Sequence, residues 1–316
     1  MRFLVVGAGA IGGYFGGRLL EAGRDVTFLV RPRRAAELAS GGLTIRSRFG
    51  DVAVPAPPLA LAESLAAPYD VVVLSCKAYD LDSAIQSFAP AVGPATAILP
   101  LLNGMRHLDA LDARFGRERV LGGWCTISTA LDPQGRVIHL NDLHALQFGE
   151  RDGARSTRAE AIAGAFAGAK FDGRLTSTVV QEMWEKWAFI ATAAGVNCLM
   201  RATIGDIVAA GAAELAAALL DECAAIAARQ GYAPRPEFVQ RIRAMVTAPG
   251  SPLAASMLRD IERGAPTEAE HILGDLLRRA EADGAPAPLL RIACLHTRAY
   301  EARRARELAE RAQAAQ

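Results

Sequence analysis

Lys186 stands in an almost wholly apolar stretch, MWEKWAFIATAAG at residues 183–195. On a helix it shares a face with Ile190, Ala193 and Ala194, at spacings of four, seven and eight. An ammonium on such a stripe has two physical readings. Either it snorkels, burying its stem while the charge stays in water, or it faces a cleft and gives up a proton. The stretch by itself leaves both readings open, and the rest of the chain has to choose between them.

A second chemical feature lies at the start of the chain. Gly7-Ala8-Gly9-Ala10-Ile11-Gly12 follows a short apolar run and opens a helix-like stretch. That order of strand, GxGxxG and helix is what dinucleotide binding requires. Gly7 permits the tight turn, Gly9 admits the pyrophosphate, and Gly12 lets helix and strand pack closely. Free N–H groups at the helix N-terminus, around Ala10 and Ile11, then face the phosphates. At the end of the second apolar run the residues are Val30-Arg31-Pro32-Arg33-Arg34, with no acid to bond a ribose diol. A guanidinium there suits a 2′-phosphate, so the cofactor reads as NADPH/NADP+, with Arg31 as the main contact and Arg33 or Arg34 in support. Lys77 and Asn103 follow two later apolar runs. In open α/β sheets ligands lie at such strand ends, although either residue is also an ordinary loop residue on position alone.

The elements that must hold these residues divide in two. Residues 2–6, 25–30, 71–75 and 96–102 read as strands of a parallel sheet buried on both faces, with Pro100 either arguing against the last as a strand or placing it at an edge. Residues 43–55 alternate about Phe49-Gly50-Asp51 and read as a hairpin. Residues 120–131, 136–140 and 145–149 read as further strands, with a turn at 132–135. Beyond residue 176 the chain is rich in Ala, Leu, Arg and Glu at helical spacing. Turn clusters at 231–234, 248–252 and 284–288 cut it into helices, and residues 300–316 read as a helix fraying into disorder. The expected fold is an α/β N-terminal Rossmann-type dinucleotide-binding domain, residues 1–175, followed by an all-α C-terminal domain, residues 176–316. A length of 316 residues fits two domains.

Composition narrows the function classes. A formal net charge of +1 gives no field for nucleic acid or an anionic membrane. Five scattered cysteines without a CxxC pair fit buried free thiols in a reducing compartment. The five histidines form no HxxxH or HExxH pattern, so no metal site is expected. The uncharged run at 188–200 falls short of the roughly 20 residues a membrane span needs. The glycine-broken N-terminus reads as strand and helix rather than a signal peptide, and a cytoplasmic location is expected. Tyr14, Trp184 and Trp187 read as core.

With these motifs in order, the chain resembles the ketopantoate reductase (2-dehydropantoate 2-reductase) family. The matching pieces are GAGAIG, FLVR, CKAYD, LLNGM, the block GGWCTIS…GRVIHL…LQFGE, WEKW, and ASMLRDIERGAPTEAEHILG. The resemblance implies that Gly7, Gly9, Gly12 and Arg31 bind NADPH and that Lys77 and Asn103 line the cofactor and substrate cleft. It implies Lys186 as the catalytic acid, Ser256 as the contact for a substrate carboxylate, and Glu268 as a second catalytic residue that bonds the substrate. The implied reaction reduces a small-molecule 2-keto acid, 2-dehydropantoate first, in pantothenate biosynthesis. The apolar helical domain leaves room for a homodimer interface.

One departure bears on the substrate. The family usually presents asparagines one and two turns after the lysine, where this chain has Ile190 and Ala194. Asn197 shares the face but stands about 16 Å along it, at a rise of about 1.5 Å per residue. Losing a hydrogen bond to a substrate hydroxyl can cost several orders of magnitude in specificity. A more apolar keto acid is therefore the competing substrate. A non-catalytic NADPH sensor is the competing class, although a sensor needs none of Lys186, Ser256 and Glu268. NAD-linked oxidation of a hydroxy acid is opposed by Arg31.

Overall fold

Phe3–Val6 of the first strand are all buried, and the strand they form sits in the middle of a parallel sheet. The computed structural model describes residues 1–314. Contacts divide the chain into two units, Met1–Leu102 with His107–Val180, and Asn103–Arg106 with Gln181–Gln316. The first carries, in order, β1 (Arg2–Val6), α1 (Ala10–Glu21), β2 (Asp25–Leu29), α2 (Pro32–Gly41), β3 (Leu43–Arg46), β4 (Val52–Val54), β5 (Leu59–Ala60) and β6 (Val71–Leu74). It continues with α3 (Leu81–Phe88), β7 (Ala97–Pro100), α4 (Arg106–Phe115), β8 (Gly122–Leu131), β9 (Val137–Gly149), α5 (Thr157–Phe166) and β10 (Asp172–Leu175).

The first sheet has the order β5-β2-β1-β6-β7, and every pairing in it is parallel. β6 and β7 are buried at each position, as continuous apolar strands covered on both faces must be. β7 takes the edge, where the N–H that Pro100 lacks costs least. The second sheet runs β10-β9-β3-β4, with β8 on β9. α1 lies against both sheets. Gly16 abuts Phe28 of β2, and Gly17 abuts Ile45 of β3, with room for no side chain at either.

One expectation holds here and another changes. The hairpin at 43–55 forms, with Leu43 opposite Val54, but it joins the second sheet through β3 and β9. Residues 136–140 and 145–149 are not separate strands. They are the two ends of β9, a 13-residue strand whose partner β8 absorbs an irregularity between Ile127 and Thr129. Two short strands, β5 and β10, carried no clear alternation in the sequence.

The second unit is helical: α6 (Val179–Met200, which starts within the first unit), α7 (Ile204–Ala209), α8 (Ala213–Arg229), α9 (Pro236–Val246), α10 (Ser256–Glu262), α11 (Asp275–Ala282) and α12 (Pro288–Ala314). The three expected turn clusters fall between α8 and α9, α9 and α10, and α11 and α12. α6 is buried without a break from Ala191 to Cys198, which explains its lack of a polar face. Gly195 abuts Leu219 of α8. Trp187 is fully buried and donates from Nε1 to the Ile272 carbonyl at 2.9 Å, while Trp184 stacks on Tyr232. α12 holds to Ala314, and the last two residues of the expected fraying tail lie outside the described residues. Among the described residues no helix is long and apolar enough to cross a membrane.

Candidate active site

The register of the first sheet sets Val6 opposite both Leu29 and Leu74. The loops after β1, β2 and β6 therefore leave the sheet at one level. Gly7, Arg31 and Lys77 emerge there together, at the point where strand order reverses. Gly7 has φ +94°, a conformation that favours glycine. A Cβ on Gly12 would stand 2.0 Å from the Gly7 carbonyl oxygen and 2.2 Å from the Ser75 hydroxyl. Gly9, the N-cap of α1, has open space where its Cβ would be, and the first turn of α1 holds no acid. A tight turn, an open cradle and an uncapped helix N-terminus fit a pyrophosphate. Ser75 was not singled out by sequence. Its hydroxyl lies 2.9 Å from the Val6 carbonyl and 3.2 Å from that of Gly7, tying the end of β6 to the glycine loop.

The three arginines separate. Arg33 is exposed and pairs with Glu37 at 3.2 Å. Arg34 turns inward, donating to the Ala8 carbonyl at 3.1 Å, the Gly135 carbonyl at 2.9 Å and Glu37 at 3.1 Å. It braces the glycine loop. Arg31, the N-cap of α2, keeps its side chain 69% exposed, with Nη2 on Asp80 Oδ1 at 2.6 Å. That hydrogen bond and the Asp80 charge raise the Arg31 pKa. Lys77 is half-buried ahead of the short turn that ends in Asp80.

In the helical unit, Lys186 is half-buried on α6 between buried Glu185 and Trp187. Glu185 accepts from the Arg235 backbone at 2.9 Å, from Arg235 Nε at 2.8 Å and Nη2 at 2.5 Å, and from Gln181 at 3.2 Å. Burial pushes its carboxyl up, but these donors win and hold it below its ordinary range. Asn103 and Glu268 meet at His271. This buried imidazole is hydrogen-bonded to the Asn103 backbone, packs on Gly104 and feels the Glu268 charge, and burial holds its pKa down. Glu268 lies just before a π-helical turn, Glu270–Gly274. Such turns often mark functional positions.

Ser256 is exposed at the first position of α10. The segment leading to it is pinned by Asn197, whose Oδ1 accepts from the Ala255 N–H at 2.9 Å. Its Nδ2 lies 2.7 Å from the Ala202 carbonyl and 3.4 Å from that of Leu253. One helix, α6, thus carries Lys186 and also the residue that fixes the approach to Ser256. Of the two positions where asparagines were expected, Ile190 is half-buried and Ala194 is buried. The five cysteines are free. Burial pushes the Cys198 and Cys223 thiols up to about 12, which leaves neither a nucleophile.

The family model described as ketopantoate reductase PanE/ApbA covers residues 3–153, and the one described as its C terminal covers residues 178–301. The chain belongs to the ketopantoate reductase family. It is an oxidoreductase of that family, with the family's parallel-sheet domain followed by a helical one. It is 38% identical to "Uncharacterized oxidoreductase YkpB" of Bacillus subtilis strain 168, across 96% of this chain and 99% of that relative. The crystal structure of 2-dehydropantoate 2-reductase from Geobacter metallireducens GS-15 superposes with TM-score 0.86 at 28% identity, over 94% of this chain and 99% of the other. A D-mandelate dehydrogenase solved with NADH and anilino(oxo)acetate shares the fold, with TM-score 0.85 at 20% identity over 96% and 99% of the two chains.

Proposed function

We propose that this member of the ketopantoate reductase family reduces a 2-keto acid to the 2-hydroxy acid with NADPH, with 2-dehydropantoate, reduced to pantoate, as the leading substrate. The observation that carries the reading is Lys186, half-buried on an apolar helix whose Asn197 also fixes the approach to Ser256. The dinucleotide, when bound, supplies the hydride. Gly7, Gly9, Ala10, Ile11 and Gly12 hold its pyrophosphate, Arg31 takes the 2′-phosphate, Lys77 and Asn103 contact the cofactor, and Asn103 also contacts the substrate. As hydride reaches the keto carbon, negative charge develops on its oxygen. Lys186 stabilises that charge and gives the oxygen a proton, which solvent then restores to the amine. Ser256 donates to the substrate carboxylate, and Glu268 accepts from the substrate.

A second substrate is favoured by a specific observation. Ile190 and Ala194 offer no donors where the family usually has two asparagines, so a bulkier, more apolar 2-keto acid competes with 2-dehydropantoate. NADPH oxidation by the purified chain, followed with 2-dehydropantoate and a panel of apolar 2-keto acids, decides between them. The larger kcat/KM identifies the substrate class. Binding of NADPH with no turnover on any keto acid would replace the enzyme reading with that of a nucleotide sensor.

A further inference from the structure

The geometry points to Asp80 as a specificity residue that weakens the preference of this chain for NADPH over NADH, by competing with the 2′-phosphate for Arg31. The inference rests on the reading of Arg31 as the 2′-phosphate contact. Asp80 occupies the N-cap position of α3, where an aspartate ordinarily turns its carboxylate onto the free N–H groups of its own helix. Here it makes no such side-chain bond. Its carboxylate instead takes Arg31 Nη2 at 2.6 Å, across 49 positions of sequence, and Ser83 Oγ lies 3.4 Å from the same nitrogen. The acid absent from the end of β2 thus arrives from the loop after β6.

Two consequences follow from charge alone. A 2′-phosphate must displace or share a guanidinium that already has an anionic partner. It must also settle a dianion beside that carboxylate. A ribose 2′-hydroxyl faces neither cost, and a carboxylate is the group that accepts its hydrogen bond in NAD sites. Arg31 is more than two-thirds exposed, so its pairing is screened and weak enough for the phosphate to break. Asp80 therefore trims the preference without abolishing it.

The test is equilibrium binding of NADPH and of NADH, by nucleotide fluorescence, to the full chain and to its Asp80→Asn, Asp80→Ser, Arg31→Ala and doubly substituted forms. Circular dichroism melts check that each is folded. Asp80→Asn is expected to tighten NADPH about three- to tenfold, the scale of one partly screened charge pair, and to leave NADH unchanged or weaker. Asp80→Ser should act in the same direction. The gain should shrink in the Arg31→Ala background. An unchanged ratio of the two affinities, or weaker NADPH binding in both Asp80 variants, overturns the proposal, because the carboxylate then merely orients Arg31 or does nothing. Equal binding of both nucleotides that Arg31→Ala leaves untouched overturns the role of Arg31 as well. Absence of binding to either nucleotide overturns the dinucleotide reading itself.

Discussion

Asn197 spends its whole side-chain amide on the backbone: Nδ2 toward Ala202 and Leu253, Oδ1 from Ala255. Asn197 is fully buried, and truncation to alanine leaves those part-buried backbone groups without their partner. Asn197→Ala is expected to cost about 1–3 kcal/mol in urea unfolding. It should also raise KM for the keto acid more than it lowers kcat, because the residue sets the segment before Ser256 and does not touch the reacting atoms. A fall in kcat alone would contradict that role. The sequence showed Asn197 as a polar residue on an apolar helix, but its partners lie up to 58 positions away, beyond any local pattern. His271 and Ser75 were hidden for the same reason. Lys186 and Arg31, whose roles are those proposed above, stand out in the sequence because each breaks a local rule, a charge on an apolar stripe and a base where NAD sites carry an acid.

Elements hold these residues through few polar contacts. Glu185 of α6 grips Arg235, the residue that caps the N-terminus of α9, through side chain and backbone. Arg235→Ala leaves the Glu185 carboxylate buried without its cation. Arg235 is half-exposed, so the expected loss is about 2 kcal/mol at neutral pH, below that of a fully buried pair. The sign with pH follows from the depressed Glu185 pKa. The contribution of the pair is complete above the ordinary value of 4.5 and vanishes as pH falls through the lower folded value. Chemical denaturation at neutral and acidic pH should therefore show the variant approaching the parent in acid, whereas a gap independent of pH would deny the ion pair its part. At the glycine loop, Gly12→Ala drives a methyl onto the Gly7 carbonyl and should abolish NADPH binding in a direct titration. Retained affinity would mean that the turn can shift freely. The parallel strands were legible because fully buried strands are continuous apolar runs. The hairpin's membership of the second sheet and the unity of β9 were not, since both depend on which distant strand supplies the hydrogen bonds.

Across the whole molecule, burial lowers the pKa of two histidines, half-buried His144 and buried His271. Burial, then the neighbouring His139 and Arg18 charges, lowers the pKa of His144, whose Nδ1 lies 2.8 Å from the Tyr14 hydroxyl. Burial does the same to His271. Both bind protons more readily in the unfolded chain, so stability rises with pH up to about 6.5, the ordinary histidine value. Thermal unfolding should show the Tm falling as pH drops below that point, and less steeply in a His144→Gln, His271→Gln form. A Tm that does not change across this range would place both imidazoles in contact with water. The two-unit organisation was legible from the change in periodicity near residue 176. The return of Asn103–Arg106 to the helical unit was not, because it rests on packing against His271.

Proton donation by Lys186 is the step on which the proposed reaction turns, and one paired measurement on Lys186→Ala tests it most directly. NADPH affinity and keto-acid turnover are measured on the same preparation, beside the parent chain. The expected result is affinity within about twofold of the parent and turnover reduced by at least about a hundredfold, the usual scale of a lost general acid. Turnover near the parent value would contradict it and leave Lys186 as a lysine that only covers its helix.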